Sequence, residues 1–173
     1  MSRYGQPIPI AFTGMAMVAT LLVSVPAAPA AAQSTKAEGK ILAQRLVEAA
    51  QAEHPEADEI GIMASTGHGC VGIASTDKSD IGEKCETDDI KPMRTGKPSV
   101  GREEGGFDVS LPLHDSSGTL VGVVGIGFKS APGQTKASVL KQARNMASEM
   151  EKRIPSKAKL LQHSSYYSER EKG

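Results

Sequence analysis

The stretch from Phe107 to Phe128 limits the fold more than any other, because it reads as two strands joined by a polar turn. In the first, Phe107, Val109, Leu111 and Leu113 alternate with Asp108, Ser110, Pro112 and His114. A period of two predicts a strand with one apolar and one polar face. His114-Asp-Ser-Ser-Gly118 supplies the turn. Leu120 to Phe128 follows as an apolar run carrying Gly122, Gly125 and Gly127. Its glycine spacing differs from the phosphate-cradling G-x-G-x-x-G, so it reads as a buried scaffold strand. An isolated hairpin is not stable in water, so the rest of the chain must supply further strands.

Ile60 to Ser65 and Cys70 to Ser75 are two short apolar runs about a glycine turn, Thr66-Gly-His-Gly69, which predicts a second hairpin. Pro98 to Glu104 predicts a third strand, with proline at its start where a missing donor matters least. The sheet then has five antiparallel strands. Before it, Ser34 to His54 reads as a helix: Thr35 and Glu38 have capping-box spacing, and Leu42, Leu46, Ala49 and Ala50 make a narrow apolar face. After it, Val139, Ala143, Met146, Ala147, Met150 and Ile154 recur at helical spacing. The fold class expected is α+β, a five-stranded antiparallel sheet flanked by N- and C-terminal helices. Thr76 to Gly96 is polar, and predicts short helical turns lying over the sheet as a lid. Residues 155–173 are polar and lysine-rich without a clear period, and read as a disordered tail.

The first residues bear one charge, Arg3, then an apolar run from Ile10 to Val25, then small residues with Ala30 and Ala32 in A-x-A order. Such a segment is too short to span a bilayer comfortably and predicts a signal peptide over residues 1–32, with the domain over 34–154. No later segment is long and apolar enough to span. A periplasmic or secreted protein is the expectation. Acidic and basic residues balance at 20 each and tryptophan is absent, so neither a phosphate-tracking stripe nor an aromatic platform is present. Nucleic acid is not an expected partner.

Ile73-Ala-Ser75 with Asp80-Ile-Gly82, Asp88-Asp-Ile90 through Thr95-Gly-Lys-Pro98, and Ser110-Leu-Pro-Leu-His-Asp115 with Gly122-Val-Val-Gly-Ile-Gly127 follow one another in an order that resembles the single Cache domain. That family is an extracytoplasmic relative of the PAS fold, and the resemblance covers about Lys36 to Lys129. It implies capture of a small extracellular molecule, often a carboxylate or amino acid, and signalling with a membrane-bound partner. The aromatic-rich motif of the amino-acid-binding double-Cache receptors has no match here.

A pocket in such a fold would lie between the sheet and the polar crossover. The crossover cations Lys84, Lys91 and Arg94 would favour an anion, Arg94 above all because its planar fork can hold a carboxylate twice. Asp108, Ser110, His114 and Ser75 are the polar candidates on the strands. Solvated surface is the plainer reading of each cation, and turn exposure the plainer reading of His114. Cys70 and Cys85 admit one disulfide, a redox pair, or a metal site with His68; the metal reading lacks paired ligand spacing. Neither a metal nor a cofactor is expected. Ser110 and His114 stand about 13 Å apart along an extended strand, too far for proton transfer, so an enzyme is not expected. A binding domain and an interaction module that has lost its pocket remain open; they differ in whether Met63, Ile90, Met93 and Phe107 fill the space above the sheet.

Overall fold

The computed structural model describes residues 41–67, 69–103 and 105–162, apart from the Glu103 side chain. The signal-peptide segment, the Thr35–Glu38 cap, His68 and residues 163–173 lie outside the described residues. Alternating burial along the strands builds one antiparallel sheet, from β1 (Ala57–Thr66), β2 (Gly69–Ser75), β3 (Ser99–Glu103), β4 (Gly106–His114) and β5 (Leu120–Lys129). Its order is β2-β1-β5-β4-β3, so the two hairpins foreseen in the sequence meet where β1 pairs with β5 at the centre.

Two helices, α1 (Leu42–Glu53) and α3 (Lys136–Glu151), pack on the strands with the apolar alternation. Leu46 and Val47 of α1, Ile60 and Ile62 of β1, Leu113 of β4 and Met146 of α3 belong to one buried cluster. Hydrophobic burial on this side stabilises the domain at roughly 25 cal/mol per Å² of apolar surface. Thr135 starts α3 by accepting from the Ser138 amide at 3.1 Å, while the Ser138 hydroxyl accepts from the Thr135 amide at 2.9 Å. His54 follows α1 and ties it to α3, its Nε2 lying 3.0 Å from Glu149.

The crossover folds as expected into short helical pieces, a 3-10 turn at Lys78–Asp80 and α2 at Thr87–Thr95. Asp77 caps the turn through the Ser79 amide at 2.9 Å, and Gly96 ends α2 in the left-handed conformation at φ 66°. Ser65 of β1 reaches Met93 of α2 at 3.4 Å, so α2 covers the face that β1 turns away from Ile60 and Ile62.

The tail reading fails at its beginning. Lys157–Leu161 forms a short helix, α4, whose Leu160 and Leu161 are buried in the core and which packs on α1. Two adjacent leucines in five residues carry no readable period, so only the tertiary contact reveals them.

Candidate functional site

Residues paired across an antiparallel ladder share a face. One row on the α2 side runs Ser75, Gly61, Gly125, Ser110 and Ser99; the next runs Glu59, Gly127, Asp108 and Gly101. Three glycines of the central strands thus stand together where side chains would otherwise fill the space under the crossover. A cavity of about 420 Å³ results, floored by Gly61, Gly125 and Gly127 and bordered by Met63. An ideal Cβ on Gly125 would lie 3.2 Å from the Met63 methyl. The glycine-rich strand is therefore more than scaffold: what it leaves out makes the hollow.

The outer wall is the segment after β2. Gly72 donates to the Glu83 carbonyl at 2.9 Å and accepts from the Gly82 amide at 2.8 Å, and Cys85 donates to the Cys70 carbonyl at 3.2 Å. A disulfide joins Cys70 to Cys85 across a Cα separation of 5.4 Å. Of the three readings open for the cysteines, the bridge is the one found. Residues 80–85 thereby cover β2, an otherwise open sheet edge.

Ser75 organises this wall from a buried position. Its hydroxyl donates to Asp80 at 2.9 Å and accepts from the Asp77 amide at 3.1 Å, while Gln44 of α1 brackets its backbone through the Ser75 amide and carbonyl. Asp80 in turn meets Glu59. Burial, then the hydrogen bond to Asp80, then the charges of Asp80, Asp77 and Asp108 push the Glu59 carboxyl up to about 7. Among the described residues, seven carboxylates line the cavity against one cation, Lys84. One of the seven, Asp58, pairs with Lys129 at 2.7 Å.

A carboxyl that titrates higher in the folded than in the unfolded chain favours folding only while protonated. Stability is therefore lost as pH rises from the ordinary glutamate value of 4.5 through about 7. Glu59→Gln is expected to raise the melting temperature at pH 8 and leave it unchanged at pH 4. The gain is modest because part of Glu59 remains in water. Thermal melts at both pH values check this, and a lower melting temperature at pH 8 would contradict it.

The sequence candidates divide between two sides of the sheet. Ser75 and Asp108 line the cavity, and Lys84 stands at its wall. Ser110 lies in the glycine row but is only 1% exposed and does not line the cavity, and its Oγ has no hydrogen-bond partner among the described residues. Lys91 and Arg94 are exposed on α2 and do not line the cavity, so the anion clamp expected of them is not assembled. A nine-residue helix presents only one face to the sheet, and theirs is the other. His114 also departs from expectation. A register shift between Leu113 and His114 re-aims it to α3, where its ring Nδ1 and backbone amide meet Glu151 at 2.8 and 2.9 Å. It is a strut to α3, and it stands apart from Ser110.

Asp115, beside it, accepts from Ser117 and Thr119, and these bonds, led by the Ser117 hydroxyl, hold its carboxyl below the usual range. That residue builds the turn. Glu53, His54 and Glu149 offer ligand atoms within 4.8 Å of one another. Both ring nitrogens of His54 already meet carboxylates, Glu149 and Glu56, and the Glu149 bond chiefly raises its pKa. The arrangement suits an imidazolium between two carboxylates, since a metal needs a ring nitrogen with a free lone pair.

The second GAF domain of DevS from Mycobacterium smegmatis superposes with a TM-score of 0.52 at 15% identity, over 76% of this chain and 97% of that one. The fold is GAF/PAS-like. Other similar solved chains are the GAF domain of a two-component sensor histidine kinase from Bacillus halodurans and the DcuS sensor domain of E. coli. The first has a TM-score of 0.45 at 12% identity, over 63% of this chain and 92% of that one. The second has a TM-score of 0.38 at 20% identity, over 59% of this chain and 71% of that one. No protein-family model matches the sequence, and no curated protein matches it. Among the described residues, no helix is long and apolar enough to cross a membrane.

Glu59, Asp80 and the glycine floor escaped the sequence reading as site residues. Asp80 sat inside the quoted Asp80-Ile-Gly82 motif, and Gly125 and Gly127 have the two-residue spacing that puts both on one strand face. Those were the available signals.

Proposed function

We propose that this chain is an extracytoplasmic, Cache-like binding domain, which takes a small molecule into the hollow between the sheet and the crossover and serves sensing or accessory signalling. The carrying observation is the hollow itself: Phe107 packs into the core cluster, and the space above Gly61, Gly125 and Gly127 stays open. An interaction module that had lost its pocket would have filled that space with side chains. The disulfide supports an oxidising compartment, hence a periplasmic or secreted location, because such bridges persist outside the reducing cytosol. A membrane-bound partner would receive the signal.

A ligand that binds only the folded state raises the melting temperature by mass action. Screening metabolites by thermal shift and calorimetry should therefore find compounds that stabilise the wild-type domain. Gly125→Leu should fold, since the Met63 methyl it meets is the flexible end of a side chain, and should abolish the stabilisation by filling the hollow. Equal stabilisation of the variant would move the binding site elsewhere.

A further inference from the structure

We propose that the ligand is a small organic cation, a primary ammonium on a short apolar body, with its charge held among Glu59, Asp80 and Asp108 and its body lying on the glycine floor against Met63. The inference deepens the binding reading and rests on it. Two observations converge. The first is charge: among the described residues seven carboxylates line the cavity against one lysine, one of the seven, Asp58, is paired with Lys129, and Glu59 and Asp80 are close enough to hydrogen-bond to each other. Two carboxylates in contact repel unless a proton or a cation lies between them. An ammonium brings three donors and one positive charge to that spot, whereas a carboxylate ligand would add to the repulsion.

The second is shape. Gly127 stands between Glu59 and Asp108, and with Gly61 and Gly125 it leaves a floor without side chains bordered by Met63, while about 420 Å³ is far more than a bare ion fills. That geometry accepts a chain of a few methylenes.

Binding should depend on pH. The groups facing Glu59 are Asp80 and Asp77 from the wall and Asp108 from β4, with Asp58 and Lys129 paired nearby and Lys84 the cation of the lining. In the free protein Glu59 keeps a proton up to about pH 7; an arriving ammonium replaces that proton. Affinity should therefore rise between pH 5 and pH 8.

The test titrates the folded chain with butylammonium, 4-amino-1-butanol, butyrate and calcium chloride, by calorimetry and thermal shift. The two amines should bind, butyrate should not, and Glu59→Gln and Asp108→Asn should each weaken the amines at least tenfold. Glu59→Gln is expected to be no less stable than wild type, so its loss of affinity would not reflect unfolding. Butyrate binding without amine binding would overturn the charge assignment and leave the binding reading standing. Calcium binding that excludes the amines would also overturn it, in favour of a metal site. Failure of these probes, and of a wider metabolite screen, to stabilise the protein would sink both readings together.

Discussion

Cys70→Ser combined with Cys85→Ser is expected to lower the folding free energy by about 3 kcal/mol, because the bridge closes a loop of 15 residues in the unfolded chain. For a domain of this size that corresponds to a fall of about 10 °C in melting temperature. The effect should reach the cavity as well. Residues 80–85 are held to β2 by the bridge and by the hydrogen bonds of Gly72 and Cys70, and Asp80 reaches Ser75 and Glu59 from that segment. Without the bridge, ligand affinity should fall even at temperatures where the variant is fully folded. Differential scanning calorimetry and a binding titration on the same sample check both halves. An unchanged melting temperature would mean that the hydrogen bonds alone secure the wall.

Leu46→Ala should cost as much or more, about 2–5 kcal/mol, through the opposite side of the sheet. Leu46 is fully buried in α1 within the cluster that includes Ile60, Ile62 and Leu113. Truncation leaves a void that a helix packed on a sheet closes only in part. Here affinity at low temperature should be retained, because Leu46 lies on the helical side and contributes nothing to the cavity lining. The two variants thus separate a wall that serves the site from a core that serves the fold. Urea unfolding gives the stabilities, and loss of affinity in Leu46→Ala below its melting transition would contradict the separation.

Much of the fold was readable because alternation is a strong signal where one strand face is buried. Phe107, Val109, Leu111 and Leu113 fell on the core side as their spacing required, and the hairpins and flanking helices followed. The site was harder to read, for a physical reason. A cavity is defined by missing atoms, and Gly61, Gly125 and Gly127 come from separate positions that only strand register brings together. Its charge is likewise dispersed, with Glu59 on β1, Asp80 in the 3-10 turn and Asp108 on β4. A balanced total charge concealed that one surface is almost entirely acidic.

His114 and the crossover cations failed for other reasons. Counting alternate residues from Asp108 puts His114 on the polar face, but a register shift at the strand end is invisible in the count. Lys91 and Arg94 occupy a helix whose position over the sheet was foreseen but whose rotation about its own axis was not. Polar residues occur on both sides of α2, leaving periodicity little to report.

An amide chemical-shift titration of the isotopically labelled protein with 4-amino-1-butanol tests directly whether the hollow over the glycine floor binds a small cation. Saturable shifts are expected at Glu59, Gly61, Asp108, Gly125 and Gly127, with the amides around His114 and Glu151 undisturbed. Shifts confined to the α3 side, or no saturable shifts at all, would contradict the site.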